Sequence, residues 1–149
     1  MEFVGNKDTP YNGTLPAVGK YPEIALRDFQ KQYLFLSNES EEGITQQLKV
    51  SRIKVHAELK AVLSAHDSLA ALSMHWFDET ESGETLYFQA VFSLTASELI
   101  GIKLSTDATS DAAERQQALT DKKQHCDVQY RQAVDLLLHG KETYRFEVV

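Results

Sequence analysis

The stretch ETLYFQAVFSLTASELIGIKL, from Glu84 to Leu104, decides the fold. Its apolar residues do not keep to one side of a helix, because they recur in nearly every direction around the helix axis. A helix of this kind has to be covered on all sides, either by its own chain or by a partner. The stretch therefore predicts a central, buried helix with other elements packed around it.

Two helices are predicted before the central one. The first opens at Tyr21-Pro22, since proline fits the first turn of a helix and apolar residues then recur at steps of three and four. The second begins after the polar run 37–42, which offers N-cap oxygens, and continues to about His66. It carries two adjacent apolar stripes, so it can contact two neighbours. Residues 67–83 lack a regular period and are predicted to be a connecting loop.

The last helix is predicted to follow the central one and to run from Asp111 to His139. Asp111 and Glu114 have the spacing of a capping box with aspartate in place of serine or threonine. Gly140 suits the position just after the end of a helix. The expected fold is therefore all-α and similar to a four-helix bundle.

The chain closes on KETYRFEVV, from Lys141 to Val149, where apolar and charged residues alternate. A period of two is typical of a half-buried strand. A lone strand leaves its backbone N–H and C=O groups unpaired, and we find no convincing second strand in the sequence. We therefore expect this tail to pair with another polypeptide. The candidate partner-binding residues are Tyr144, Arg145, Phe146, Glu147, Val148 and Val149.

These patterns divide the chain into three parts. Residues 1–20 contain glycine, proline and short polar residues without a regular period, and are expected to form an extended or disordered arm. Residues 21–140 are expected to form the helical domain. Residues 141–149 are expected to form the β-like docking strand.

Composition bounds the class of protein. The 149 residues include 15 Lys and Arg against 22 Asp and Glu, which gives a formal charge of -7. Such a chain lacks the positive field that attracts duplex DNA, so tight nonspecific DNA binding is not expected. The beginning of the chain has no secretory pattern, we find no apolar run long enough to cross a bilayer, and Cys126 is the one cysteine. We therefore expect a cytosolic protein without a membrane span.

The sequence offers three weak hints of chemistry, and each is incomplete. His56-Ala57-Glu58 is half of a zinc-deaminase motif, but the motif needs a cysteine pair that a chain with one cysteine does not have, so we interpret His56 as a surface helix residue. The tract from Asp78 to Gly83 resembles part of a calcium loop, but Gln89 occupies the position of the bidentate glutamate. Neighbouring positions in His125-Cys126-Asp127 point about 100° apart on a helix, so these side chains do not converge. We expect no enzyme activity, metal or cofactor.

Four stretches, in the order of the chain, point to a family. They are YPEIALRDFQ from Tyr21, LYFQAVFSLTASEL from Leu86, STDATSDAAERQQA from Ser105, and YRQAVDLLLHG from Tyr130 before the alternating tail. Together they resemble the head-completion (GPL) proteins of contractile-tailed phages of the peduovirus type. Two positions depart from that family's pattern: Gln132 stands where an aromatic residue is expected, and the turn after Asp107 lacks a glycine.

The resemblance implies a structural adaptor found in the virion, and in the host cytoplasm during assembly. It implies a ring of about 12 identical subunits beneath the portal protein, which retains packaged DNA and allows tail attachment. The implied partners are the portal protein, further copies of the chain, and a tail-completion or connector protein, with DNA nearby but not specifically bound. From the residues alone, the alternative is a non-viral helical module that uses its tail for β-augmentation.

Overall fold

We describe a computed structural model of the chain, which covers residues 10–36, 38–106 and 113–143. Two short strands come first, followed by five α-helices within these described ranges, and a 3-10 turn (Leu34–Leu36) follows the first helix. The elements are β1 (Thr14–Leu15), β2 (Ile24–Ala25), α1 (Leu26–Gln32), α2 (Glu41–Ser64), α3 (Leu69–Phe77), α4 (Ser82–Thr106) and α5 (Ala113–His139). The all-α prediction is confirmed in outline, but the described ranges hold five helices rather than four and also a small sheet.

Helix α4 is the centre of the fold, as its sequence predicts. It packs antiparallel to α5 along most of its length and also contacts α2 and α3. Two of its buried hydroxyl groups are satisfied within the helix: Ser93 donates to the carbonyl of Gln89 at 2.6 Å, and Thr95 donates to that of Val91 at 2.8 Å. By length and composition α4 could cross a membrane, but 56% of its most apolar window is buried in the bundle. The surrounding helices therefore account for its apolar character.

Helix α3 corrects the prediction of a loop between the second helix and the central one. Ser68 is its N-cap, and the Ser68 hydroxyl accepts a hydrogen bond from the N–H of Ala71 at 3.0 Å. Asp78 ends the helix in the left-handed conformation, with a φ of 60°. At nine residues α3 is too short to show a clear helical period, yet it buries Leu69 and Leu72 in the core.

The prediction for the first helix was wrong about where the helix begins and ends. Residues just after Tyr21-Pro22 form strand β2 instead, and α1 occupies only seven residues. β2 pairs antiparallel with β1, with Leu15 opposite Ile24, and both of these side chains are buried. The sequence patterns did not predict this strand pair, which forms within residues 14–25. Strands of two residues are too short to show the alternation by which a strand is recognised in a sequence.

The segment 10–20, part of the predicted arm, lies extended against the bundle. Arg52 of α2 donates a hydrogen bond to the carbonyl of Pro16 at 2.8 Å. The ammonium of Lys20 donates to the carbonyl of His66 at 2.7 Å, just beyond the end of α2. A positive charge at this position complements the negative end of the helix dipole. The segment is therefore held at several points along α2.

Several sequence-based expectations fall outside the described residues. They concern the beginning of the arm (1–9), the turn after Asp107, the capping box at Asp111, and the C-terminal strand from Tyr144 to Val149. Helix α5 itself is described from Ala113 and ends at His139, as predicted.

Candidate partner-binding site at the end of helix α5

The predicted partner-binding residues, Tyr144 to Val149, follow directly on Thr143, the last described residue. The structure therefore shows the part of the chain to which this segment is joined, which we call its root. We define the root as residues 140–143 together with the side chains that hold them, which come from α2, α3 and α5.

The root begins with the turn that ends α5. Gly140 has a φ of 72°, which glycine adopts readily, and its N–H donates to the carbonyl of Leu136 at 2.9 Å. The indole of Trp76, from α3, donates to the carbonyl of Leu137 at 3.0 Å. The Trp76 ring also covers the glycine so closely that a Cβ on Gly140 would lie 2.4 Å from a ring carbon. The predicted role of Gly140 as the residue after the helix end is confirmed.

A buried carboxylate holds the other end of the root. Asp135 lies on α5, is only 5% exposed, and accepts two hydrogen bonds from Thr143 on the same oxygen, Oδ2. The backbone N–H of Thr143 donates at 3.1 Å, and its hydroxyl donates at 2.8 Å. Hydrogen bonds to a charged acceptor are stronger than neutral ones. The chain is therefore fixed again three residues after the turn.

Asp135 is connected in turn to α2 through an ion-pair network. Its Oδ1 lies 3.7 Å from Nε of Arg131, and Nη2 of Arg131 lies 3.2 Å from Oε2 of Glu58 on α2. Tyr130 donates to the same carboxylate oxygen of Glu58 at 2.8 Å. Burial and the hydrogen bond to Glu58 both raise the pKa of the Tyr130 phenol well above its usual value. The root is thus tied to the second helix as well as to the last.

His56 is not the surface residue that its sequence context predicted. Its ring stacks on Tyr21, with centroids 3.5 Å apart and planes at 11°, and its Nε2 lies 2.7 Å from the hydroxyl of Tyr87. Burial and the neighbouring Arg52 lower the pKa of His56 to about 4. Its partners lie more than 30 residues away along the chain, so no local pattern could have indicated this contact.

The remaining chemical hints have structural explanations. Cys126 is buried, as predicted, and burial raises the pKa of its thiol to about 11. Neighbouring Asp127 instead forms hydrogen bonds with Ser97 and Lys123. In the acidic tract before α4, Glu79 accepts the N–H groups of the first turn, so the tract caps that helix. Within the described ranges, no group of three or more His, Cys, Asp or Glu side chains is placed to hold a metal ion.

Taken together, these features define a helical structural protein whose polar networks hold helices and chain ends in place. A family model described as phage head completion protein (GPL) matches residues 16–148 of the 149. The chain therefore belongs to the phage head completion protein (GPL) family, as the sequence motifs indicated. No curated protein and no solved structure is significantly similar to it.

Membership of this family establishes the general role of the protein. It is a virion-associated structural protein that takes part in phage head assembly, and its family implies contacts with other head and tail proteins. The match begins at Pro16, inside the predicted arm, so residues 16–20 of the segment held against α2 lie within the family match. The alternative of a non-viral interaction module is set aside.

Gly140→Ala tests the turn at the root. We expect it to lower the free energy of unfolding by about 2–4 kcal/mol, because a positive φ and the contact with Trp76 both oppose a side chain. Gly19→Ala is the matched control: Gly19 also has a positive φ, 56°, but a Cβ there would meet nothing within 4 Å, so we expect a loss of about 1 kcal/mol. Urea unfolding followed by circular dichroism measures both, and equal losses would contradict the role of Trp76.

The environment of His56 predicts a pH dependence of stability. Well above pH 6.5 the imidazole is neutral in both the folded and the unfolded chain, so it adds no pH dependence to the free energy of unfolding. Between pH 6.5 and 4 the unfolded chain binds a proton that the folded chain does not, so we expect the free energy of unfolding to fall as the pH is lowered. His56→Phe keeps a stacking ring but cannot titrate, so its stability should fall less steeply in this range. Identical slopes in urea titrations at several pH values would contradict this prediction.

Proposed function

We propose that the protein is a head-completion adaptor that forms a ring of identical subunits beneath the portal, helps to retain packaged DNA and provides a surface for tail attachment. The family match over residues 16–148 is the observation that carries this proposal. The contact surfaces and the charge of the chain support its separate parts.

The exposed stripe of α2 supports a contact between neighbouring subunits. One apolar stripe of α2 is largely buried in the core of the subunit. The adjacent stripe is open to solvent: Ile53 is 67% exposed, and Ala57 and Ala61 are exposed on the turns that follow. Head-to-tail contacts close a ring only when two unlike faces meet. The middle of α4 is covered by its own neighbours, so the α2 stripe, whose Ile53 is more exposed than Ile102 of α4, is the more suitable face for a second copy.

The charge of the chain supports a position beside a DNA channel. A formal charge of -7 disfavours adhesion of DNA to the protein, which suits a ring through which DNA passes in both packaging and ejection. No specific nucleic-acid contact is part of this proposal.

The C-terminal segment from Tyr144 to Val149 is the proposed contact with the portal. Its alternating pattern suits the addition of a strand to a partner's sheet, and it leaves the bundle from a root that is fixed at Gly140 and Thr143. A rigid root reduces the entropy that is lost when such a segment is ordered on binding.

The ring contact can be tested by a charge on the exposed stripe. For the wild-type chain mixed with portal, we expect negative-stain images to show rings. Ile53→Lys should keep the helical circular dichroism but abolish these rings, because the contact would bury an unpaired charge, which is costly. Leu34→Lys is the matched control, since Leu34 is also 67% exposed but lies on the turn after α1. Rings that survive Ile53→Lys, or that are lost equally in both variants, would contradict the proposed contact.

The portal contact can be tested by truncation after Thr143. This position removes Tyr144 to Val149 but keeps both hydrogen bonds to Asp135, so we expect an unchanged circular dichroism spectrum and loss of binding to purified portal. If the truncated chain binds portal as well as the full chain does, the docking role is wrong. If it unfolds, the segment belongs to the core of the subunit instead.

A further inference from the structure

We propose that Asp135 and Thr143 form a clasp that fixes the chain at the residue immediately before the segment 144–149, and that this clasp is a positioning device for docking. The inference rests on the proposed function, in which that segment binds the portal. It assigns to Asp135 a role that neither its sequence context nor the family match indicates.

The first support is that the end of α5 does not require the clasp. The carbonyls of Leu136 and Leu137 in the last turn already accept hydrogen bonds, from the N–H of Gly140 and from the indole of Trp76. The Asp135–Thr143 contact forms beyond this turn and closes a loop of eight residues. It therefore acts on the chain after the helix has ended.

The second support is the energetic cost of burying this carboxylate. Asp135 is 5% exposed, and a buried carboxylate is costly unless it is paired and hydrogen-bonded. Its Oδ1 faces Arg131, and its Oδ2 accepts both donors of Thr143. Two donors from one residue fix the orientation of the chain as well as its position, which one hydrogen bond would not do.

The third support is the set of contacts that hold the carboxylate of Asp135 in place. Arg131 links Asp135 to Glu58, with Nη2 at 3.3 Å from Oε1 and 3.2 Å from Oε2 of that residue. Glu58 lies on α2, which is a long helix of the bundle with a buried stripe. Thr143, the last residue before the proposed docking segment, is thus bonded to a carboxylate on α5 that Arg131 connects to α2. Support of this kind is what a pre-organised binding element needs.

The clasp can be tested by varying the hydroxyl of Thr143 in the full chain. Thr143→Val keeps the shape and the backbone N–H but removes one donor to Asp135, and we expect the concentration that half-saturates purified portal to rise about tenfold. Thr143→Ser keeps the hydroxyl and should bind within about twofold of the wild type. The thermal unfolding midpoint should fall by a few degrees in Thr143→Val, because the buried carboxylate loses one donor, and should change little in Thr143→Ser. Portal binding is therefore measured at a temperature at which all three chains are fully folded.

A synthetic peptide of residues 144–149 separates positioning from direct contact. The peptide lacks Asp135 and Thr143, so it cannot form the clasp. We therefore expect it to displace the wild type and Thr143→Val from portal with the same inhibition constant, once the different affinities of the two chains are taken into account. Asp135→Asn in the full chain should also weaken portal binding, since it removes the charge that Thr143 and Arg131 share.

The outcomes distinguish the clasp from the docking role on which it depends. If the chain truncated after Thr143 binds portal normally, docking by residues 144–149 is wrong. If truncation abolishes binding but Thr143→Val binds as tightly as the wild type, docking stands and the clasp is wrong. If Thr143→Ser is as weak as Thr143→Val, the hydroxyl is not the group that matters, and the clasp is also wrong.

Discussion

The burial of the middle of α4, residues 90–100, is the constraint on which the rest of the structure depends. A helix that is apolar around its whole circumference needs a complete wall, and α2, α3 and α5 supply it. This need explains why the residues 69–77 form a helix although their own pattern is irregular. It also explains why the polar groups within α4, such as those of Ser93 and Thr95, bond to the carbonyls of the preceding turn.

The sequence predicted the long helices well, because an apolar period sustained over twenty or more residues is a strong signal. It failed for α3 and for the β1–β2 pair, which are too short for any period to be visible. The residues of the candidate site also differ in how far the sequence predicted them. Gly140 was recognisable from its place after a helix, whereas the partners of Asp135 and His56 depend on how distant parts of the chain meet.

Polar contacts hold the described chain at both of its ends, beside the beginning of the bundle and after the end of α5. Lys20 neutralises the carbonyl end of α2 and Arg52 holds the entering segment, while Asp135 holds the departing one through Thr143. Both ends are therefore fastened to helices that are themselves secured by α4.

Trp76 gives this arrangement an optical consequence. It is the one tryptophan in the chain, and its ring lies against Gly140 while its indole N–H is bonded to the last turn of α5. Its emission therefore comes from the point at which the chain leaves the bundle. Trp76 is thus a natural fluorophore beside the proposed docking segment, and a change in its emission on mixing with portal would report binding there without an attached dye.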